Sequence, residues 1–241
     1  MKLPLVLTLS LALLSPFVSA QEIKLLASDG AQNDQFGYSV SLSGNTAIVG
    51  AFGDDDNGLW SGSAYLFDIT TGAELAKLLP SDSAVDDYFG SSVAISGDTA
   101  IVGASGDDDN GPFSGSASLF DVSTGAEIAK LIASDGADFD YFGSSVAISD
   151  DTAIVGAPNN SGSGSAYLFD TATFTEISKL LPSDGAPGDN FGYSVALMGN
   201  TVATGAFKDD SQGTDSGSVY TYEFKGTCTT EGECVCNTGF A

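Results

Sequence analysis

One landmark pair, Phe-Gly, occurs at Phe36-Gly37, Phe89-Gly90, Phe142-Gly143 and Phe191-Gly192, at intervals of 53, 53 and 49 residues. Each copy follows the same lead-in: Lys24-Leu-Leu-Ala-Ser-Asp29, Lys77-Leu-Leu-Pro-Ser-Asp82, Lys130-Leu-Ile-Ala-Ser-Asp135 and Lys179-Leu-Leu-Pro-Ser-Asp184. A Val-Gly-Ala step comes next, at Val49-Gly50-Ala51, Val102-Gly103-Ala104 and Val155-Gly156-Ala157, weakening to Thr204-Gly205-Ala206. Self-similarity at a fixed period restricts a chain to architectures in which each unit buries its faces against neighbouring copies.

Each unit holds four strand-sized pieces. In the first copy, Tyr38 to Ser43 alternates with a period of two, as a half-buried strand does. A two-residue turn at Gly44-Asn45 leads to Thr46–Ala51, whose continuous apolar run predicts burial on both faces. Gly62–Asp68 and Glu74–Leu79 follow as third and fourth strands. A unit of about 50 residues with four antiparallel strands has the size of one propeller blade. The fold class expected is therefore all-β, a β-propeller over residues 21–226 with repeats at about 24–76, 77–129, 130–178 and 179–225. The Phe of each Phe-Gly pair should pack between blades, and its Gly should permit close backbone approach. The last unit lacks a fourth strand, whereas Glu22 to Leu26 reads as one that precedes the first unit. The expectation is ring closure: four blades, sixteen strands, with residues 22–26 paired beside residues 217–224. The alternative is an open piece of a larger ring.

The Phe-Gly and Gly-Ala landmarks resemble the FG-GAP repeat, the blade unit of the integrin α-chain propeller and of many secreted microbial and algal proteins. That resemblance implies a propeller in an extracellular setting that binds a ligand or a cell surface. Integrin blades often carry a calcium loop of the form D-x-D-x-D-G-x-x-D between the two landmarks. Here that interval is a tight turn such as Ser43-Gly44-Asn45-Thr46, so those calcium positions do not carry over.

The two ends read differently from the repeats. Lys2, an apolar run from Leu3 to Val18, and Val18-Ser19-Ala20 form the pattern of a signal peptide over residues 1–20, and predict secretion. No later segment is apolar and long enough to insert in a membrane. Cys228, Cys234 and Cys236 all fall in the tail, residues 227–241. The run from Cys234 to Phe240 resembles the back half of an EGF-like module, and reads otherwise as a short tail with one disulfide and a spare thiol.

Thirty-two Asp and Glu face seven Lys, with no Arg and no His, for a net charge of −25. Such a chain is unsuited to the phosphate backbone of nucleic acid or to an anionic membrane surface. Without His it has no Ser-His-Asp triad and no imidazole metal site. Up-and-down strands send the loops between strands two and three, and those between strand four and the next blade, to the same rim. That rim collects Asp54, Asp55 and Asp56; Asp107, Asp108 and Asp109; Asp209, Asp210 and Asp215. Hard oxygen ligands in flexible loops suit Ca²⁺, so these nine residues are the candidate metal ligands and calcium the candidate cofactor; the other reading is a solvated acidic surface. A second recurrence pairs Asp29 with Asp34, Asp82 with Asp87, Asp135 with Asp140 and Asp184 with Asp189. Its presence in every unit points to turn architecture, with metal ligation the other reading. Glu74 and Lys77, Glu127 and Lys130, and Glu176 and Lys179 read as charges that protect the outermost strand's edge.

Trp60 and Phe113 are candidate ligand contacts on the acidic rim, and Asn159 opens a glycosylation sequon, Asn159-Asn160-Ser161. The leading functional reading is an extracellular recognition or adhesion module that binds a protein or glycan and is not an enzyme. Its rivals are a structural spacer of a larger secreted protein and a carboxylate-based hydrolase.

Overall fold

The computed structural model describes residues 22–224; the expected signal peptide and the cysteine tail lie outside the described residues. Among the described residues, fifteen strands form four antiparallel sheets, each a meander in chain order. Blade one holds β1 (Ser39–Ser43), β2 (Thr46–Ala51), β3 (Ser63–Asp68) and β4 (Glu74–Leu78). Blade two holds β5 (Phe89–Ser96), β6 (Thr99–Ala104), β7 (Ser116–Asp121) and β8 (Glu127–Leu131). Blade three holds β9 (Ser145–Ser149), β10 (Thr152–Ala157), β11 (Ser165–Asp170) and β12 (Thr175–Leu180). Blade four has three strands, β13 (Phe191–Met198), β14 (Thr201–Ala206) and β15 (Ser218–Glu223). The family-type blades expected from the repeat are thus present, and the second strands have the expected bounds.

Burial follows the pattern of each strand. β2, β6 and β10 are buried from their second residue to their last: a neighbouring sheet covers each face of β6 and β10, while β2 has blade two on one face and Leu25, Ala27 and Phe36 on the other. The core lies between blades. Ile48, Leu66 and Leu78 of blade one meet Phe89, Val93, Ile95 and Phe120 of blade two in one cluster. Ile101, Leu119 and Leu131 meet Phe142, Ile148 and Phe169 in the next, and Ile154, Leu168 and Leu180 meet Phe191 and Val202 in the third. Phe89, Phe142 and Phe191 are fully buried at these joints, the role expected of the Phe-Gly aromatic.

Glycine sets how closely blades approach. A Cβ on Gly50 would stand 2.0 Å from the Gly90 carbonyl oxygen of blade two, and one on Gly103 would stand 2.0 Å from that of Gly143. At the same joints, Ser39 Oγ donates to Gly90 O at 2.8 Å, Ser92 Oγ to Gly143 O at 2.7 Å and Ser145 Oγ to Gly192 O at 2.8 Å. Bare glycine and serine therefore form one repeated backbone contact that orients each blade on the next.

The expected ring closure is not observed. Residues 22–27 pair with no strand, and β15 has β14 as its partner within the sheet. Leu25 and Ala27 pack instead against Val49, Tyr65 and Phe67 of blade one. That cluster contains no residue of blade four, and Val40, Leu42 and Met198 are 66%, 66% and 80% exposed. The physical reason lies in the joints: packed cores join blades one to two, two to three and three to four, and among the described residues no core cluster joins blade four to blade one. The lead-in stays with the blade its leucine packs on, while β15 lies at the other end of the row. The chain is an open arc, the alternative weighed above.

Adding a methyl group at an inner joint tests this account. Gly103→Ala should destabilise the fold by about 3 kcal/mol through overpacking, measured by denaturant unfolding. A stability loss near zero would show that the glycine contact does not set the blade spacing.

Candidate functional site at the loop rim

The loops between second and third strands meet the turns that enter each blade. Gly53 N donates to Asp34 O, Gly106 N to Asp87 O and Asn159 N to Asp140 O. These bonds seat both loop types on one rim, where the sequence placed the acids.

The recurring second aspartate builds the entry turn. Asp34, Asp87, Asp140 and Asp189 are buried, and each accepts the amide three residues back, from Ala31, Ala84, Ala137 and Ala186. The first aspartate has another role. Asp29, Asp54 and Asp56 converge on one point, as do Asp82, Asp107 and Asp109. The centre of each trio is taken by lysine. Lys77 Nζ lies 2.7 Å from Asp29, 2.9 Å from Asp54 and 2.6 Å from Asp56. Lys130 Nζ lies 2.6 Å from Asp82, 2.7 Å from Asp107 and 2.6 Å from Asp109. In blade three, Lys179 binds Asp135, Asn160 Oδ1 and Ser161 Oγ at 2.6, 2.6 and 3.0 Å. Tyr65 adds its hydroxyl at 2.9 Å from Asp29 and Asp54, and its ring lies 5.3 Å from Lys77 Nζ.

These lysines and their companion glutamates correct the edge-protection reading. Glu74 accepts the Ser28 amide at 2.8 Å, Glu127 that of Ser81 at 2.8 Å and Glu176 that of Ser134 at 3.0 Å. Glutamate and lysine of one strand thus clamp the preceding turn. Strand periodicity could not show this, because the partner turns are 42 or more residues away.

Of the nine candidate metal ligands, the structure brings Asp54 and Asp56 into one cage and Asp107 and Asp109 into another. The middle residues form turns: Asp55 accepts the Trp60 amide, Asp108 the Phe113 amide and Asp210 the Asp215 amide. Asp209 is buried and lies 3.0 Å from the Tyr220 hydroxyl. The carboxylate trios have the hard oxygens that suit Ca²⁺, but an ammonium stands where the ion would sit.

Charge follows this geometry. Burial opposes the charge on Lys77 and Lys130, yet their aspartate partners hold both well above an ordinary lysine. Burial likewise works to raise Asp29, Asp54 and Asp135, but lysine hydrogen bonds bring each net below the ordinary 3.8. Asp209 falls to about 2 through the Ser211 hydroxyl and amide. Asp87 runs the other way: burial, with the charges of Asp107 and Asp82, pushes it up to about 6.

An aromatic row borders the cages of blades one and two. Tyr38 meets Phe52 at 4.4 Å, Phe52 meets Tyr88 at 6.0 Å, and Tyr88 meets Trp60 at 5.8 Å and Phe113 at 6.5 Å. Phe113 continues to Phe139 at 5.8 Å. The two sequence candidates, Trp60 and Phe113, thus belong to one row through Tyr88. Single-residue reading missed Tyr38, Phe52, Tyr88 and Phe139, which different loops contribute. Asn159 is exposed and its Oδ1 accepts from Asn190 at 3.0 Å.

The cages set an acid limit on stability. A carboxylate with a lowered folded pKa contributes fully above its unfolded value, and that contribution is lost as pH falls through the folded value. The melting temperature should therefore drop between about pH 4 and about pH 2, while ionisation of Asp87 opposes stability as pH rises from 3.8 towards about 6. Lys77→Met, which strands the buried Asp54, should cost about 3 kcal/mol at neutral pH and shrink the acid drop. Calorimetry across pH measures both, and an unchanged acid limb would remove the cages from this role.

No curated protein matches this sequence. Among solved structures, the fold is similar to the computationally designed Ika4 protein, with TM-score 0.52 and 18% identity over 84% of this chain and 99% of that one. It is also similar to hydrazine synthase of Kuenenia stuttgartiensis, with TM-score 0.55 and 17% identity over 82% of this chain and 49% of that one. The designed Ika8 protein aligns with TM-score 0.50 and 18% identity over 78% of this chain and 45% of that one. This chain thus spans about half of each of the latter two. At such identities the likeness shows the fold alone. The FG-GAP repeat matches residues 20–67, 73–120, 126–169 and 174–222, in step with the four blades. The chain therefore belongs to the FG-GAP repeat family.

Proposed function

We propose that this propeller is a secreted extracellular recognition module that binds a neutral glycan on the rim of blades one and two. The observation that carries the reading is the aromatic row from Tyr38 through Tyr88 to Phe139, set among exposed carboxylates. Trp60, Tyr38 and Phe139 are 41%, 61% and 50% exposed, so their rings are available to the C–H faces of sugars. Asp55, Asp56, Asp108 and Asp109 are exposed beside them and offer acceptors to sugar hydroxyls. Cage lysines are already paired and the surface is acidic, which disfavours sulfated or carboxylated chains.

Calcium would have to displace Lys77 or Lys130 from the cage centre. The lysines already neutralise the buried carboxylates, so the proposed binding is metal-independent. Catalysis has less support. Asp87 is the carboxylate pushed upward in pKa, as a general acid would be, but it accepts the Ala84 amide in a turn that every blade repeats.

A glycan array followed by calorimetric titration tests the proposal. Neutral oligosaccharides should bind, and Trp60→Ala or Phe113→Ala should weaken affinity by about tenfold or more with the fold intact by circular dichroism. Chelator should leave both affinity and melting temperature unchanged. Retention of basic peptides without any glycan would overturn the glycan reading, and calcium-dependent affinity would overturn its metal independence.

A further inference from the structure

Four cages are laid out by the repeat, and the fourth is incomplete. Asp184 Oδ1 and Asp209 Oδ2 lie 2.8 and 3.0 Å from the Tyr220 hydroxyl, as Asp29 and Asp54 do around Tyr65. In blades one to three the central ammonium comes from the fourth strand. Among the described residues, blade four has no fourth strand and no ammonium lies in its cage.

The repeat also has a fourth lysine. Lys24 precedes Leu25 as Lys77 precedes Leu78, Lys130 precedes Leu131 and Lys179 precedes Leu180. It is exposed and makes no ion pair among the described residues. Its segment already sits against blade one as a preceding fourth strand would. Leu25 packs on blade one as Leu78 packs on blade two, and Ser28 reaches Glu74 as Ser81 reaches Glu127. Among the described residues, what residues 22–27 lack is a strand to pair with, and what β15 lacks is a partner on its outer edge.

The joint has matching loose ends. Gly205 meets no backbone of a following blade, whereas the equivalent Gly50, Gly103 and Gly156 each meet one. Ser194 is exposed, while Ser39, Ser92 and Ser145 donate across a joint. At the other end, Val40 and Leu42 are exposed where Val93 and Ile95 are buried.

We propose that a second copy of this chain docks on blade four. Its residues 22–27 add to β15 as the fourth strand, its Lys24 enters the Asp184–Asp209–Tyr220 cage, and its Gly37 carbonyl takes the Ser194 hydroxyl. The contact is head-to-tail, and a head-to-tail contact that closes makes a ring. Two copies would hold eight blades, within the usual range of about four to eight, so the closed form is a dimer. Blade four's outer face departs from the inner ones: Ala203, Thr221 and Met198 stand where blade one has Ile48, Leu66 and Ser43. The joint between copies is therefore weaker than an inner one and dissociates on dilution.

Sedimentation of the secreted chain against concentration, with a charge-swap pair, tests the proposal. The wild-type chain should sediment as a reversible dimer. Lys24→Asp alone should be monomeric, because position 24 would then meet the acidic cage. Asp184→Lys alone should be monomeric for the opposite reason. An equimolar mixture of these two variants should dimerise, since both of its joints then pair unlike charges. Gly205→Ala, which places a methyl group in the joint, should also weaken the dimer while the monomer keeps its melting temperature. A wild-type chain that stays monomeric at high micromolar concentration would overturn the proposal. So would variants that dimerise alone, or a mixture that shows no rescue.

Discussion

A carboxylate buried in the loop between second and third strands must be neutralised, and a lysine from the neighbouring fourth strand does it. Asp54 and Asp107 are 3% and 5% exposed. Unpaired, each would carry a heavy desolvation cost. The ammonium that removes this cost also holds a second carboxylate on the entry turn and a third on the loop's outer side. One cation thus ties the fourth strand and two loops into a single rim. The aromatic row can exist as a row only because those loops are held in register. Trp60 and Phe113 come from loops anchored by cage aspartates, and Tyr88 comes from the turn between them.

The lysine cages also explain how so acidic a chain keeps its loops together. With a net charge of −25, loops rich in aspartate should repel one another. Of the seven Lys, three sit at cage centres, where each meets three oxygen ligands. The small supply of positive charge is concentrated where low dielectric makes it most effective. Apart from Asp209 and the buried entry-turn aspartates, the other described carboxylates outside the lysine cages are exposed or half-exposed and leave the surface strongly negative.

Much of the fold was legible in residue order. The Phe-Gly and Val-Gly-Ala spacing fixed the period, and a continuous apolar run placed the second strand at Thr46–Ala51, where the structure has it. Local pattern suffices there because a strand's burial is written in its own residues. The same reading misplaced Glu74 and Lys77, whose partners are remote in sequence but adjacent across a joint. It found Trp60 and Phe113 by their place in the acidic loops, yet not the Tyr88 that joins them, since Tyr88 comes from the entry turn of blade two.

Ring closure marks the boundary most clearly. Sequence alone determined that the chain has three complete blades, a fourth lacking its last strand, and a leading segment with the character of that missing strand. It also placed the acidic loops on one rim, because antiparallel connectivity permits no other arrangement. Only the tertiary structure decided that the missing strand and the leading segment stand apart. That outcome depends on how successive sheets pack, through close backbone contacts at Gly50, Gly103 and Gly156. Such packing is a property of two surfaces together, so no single repeat encodes it.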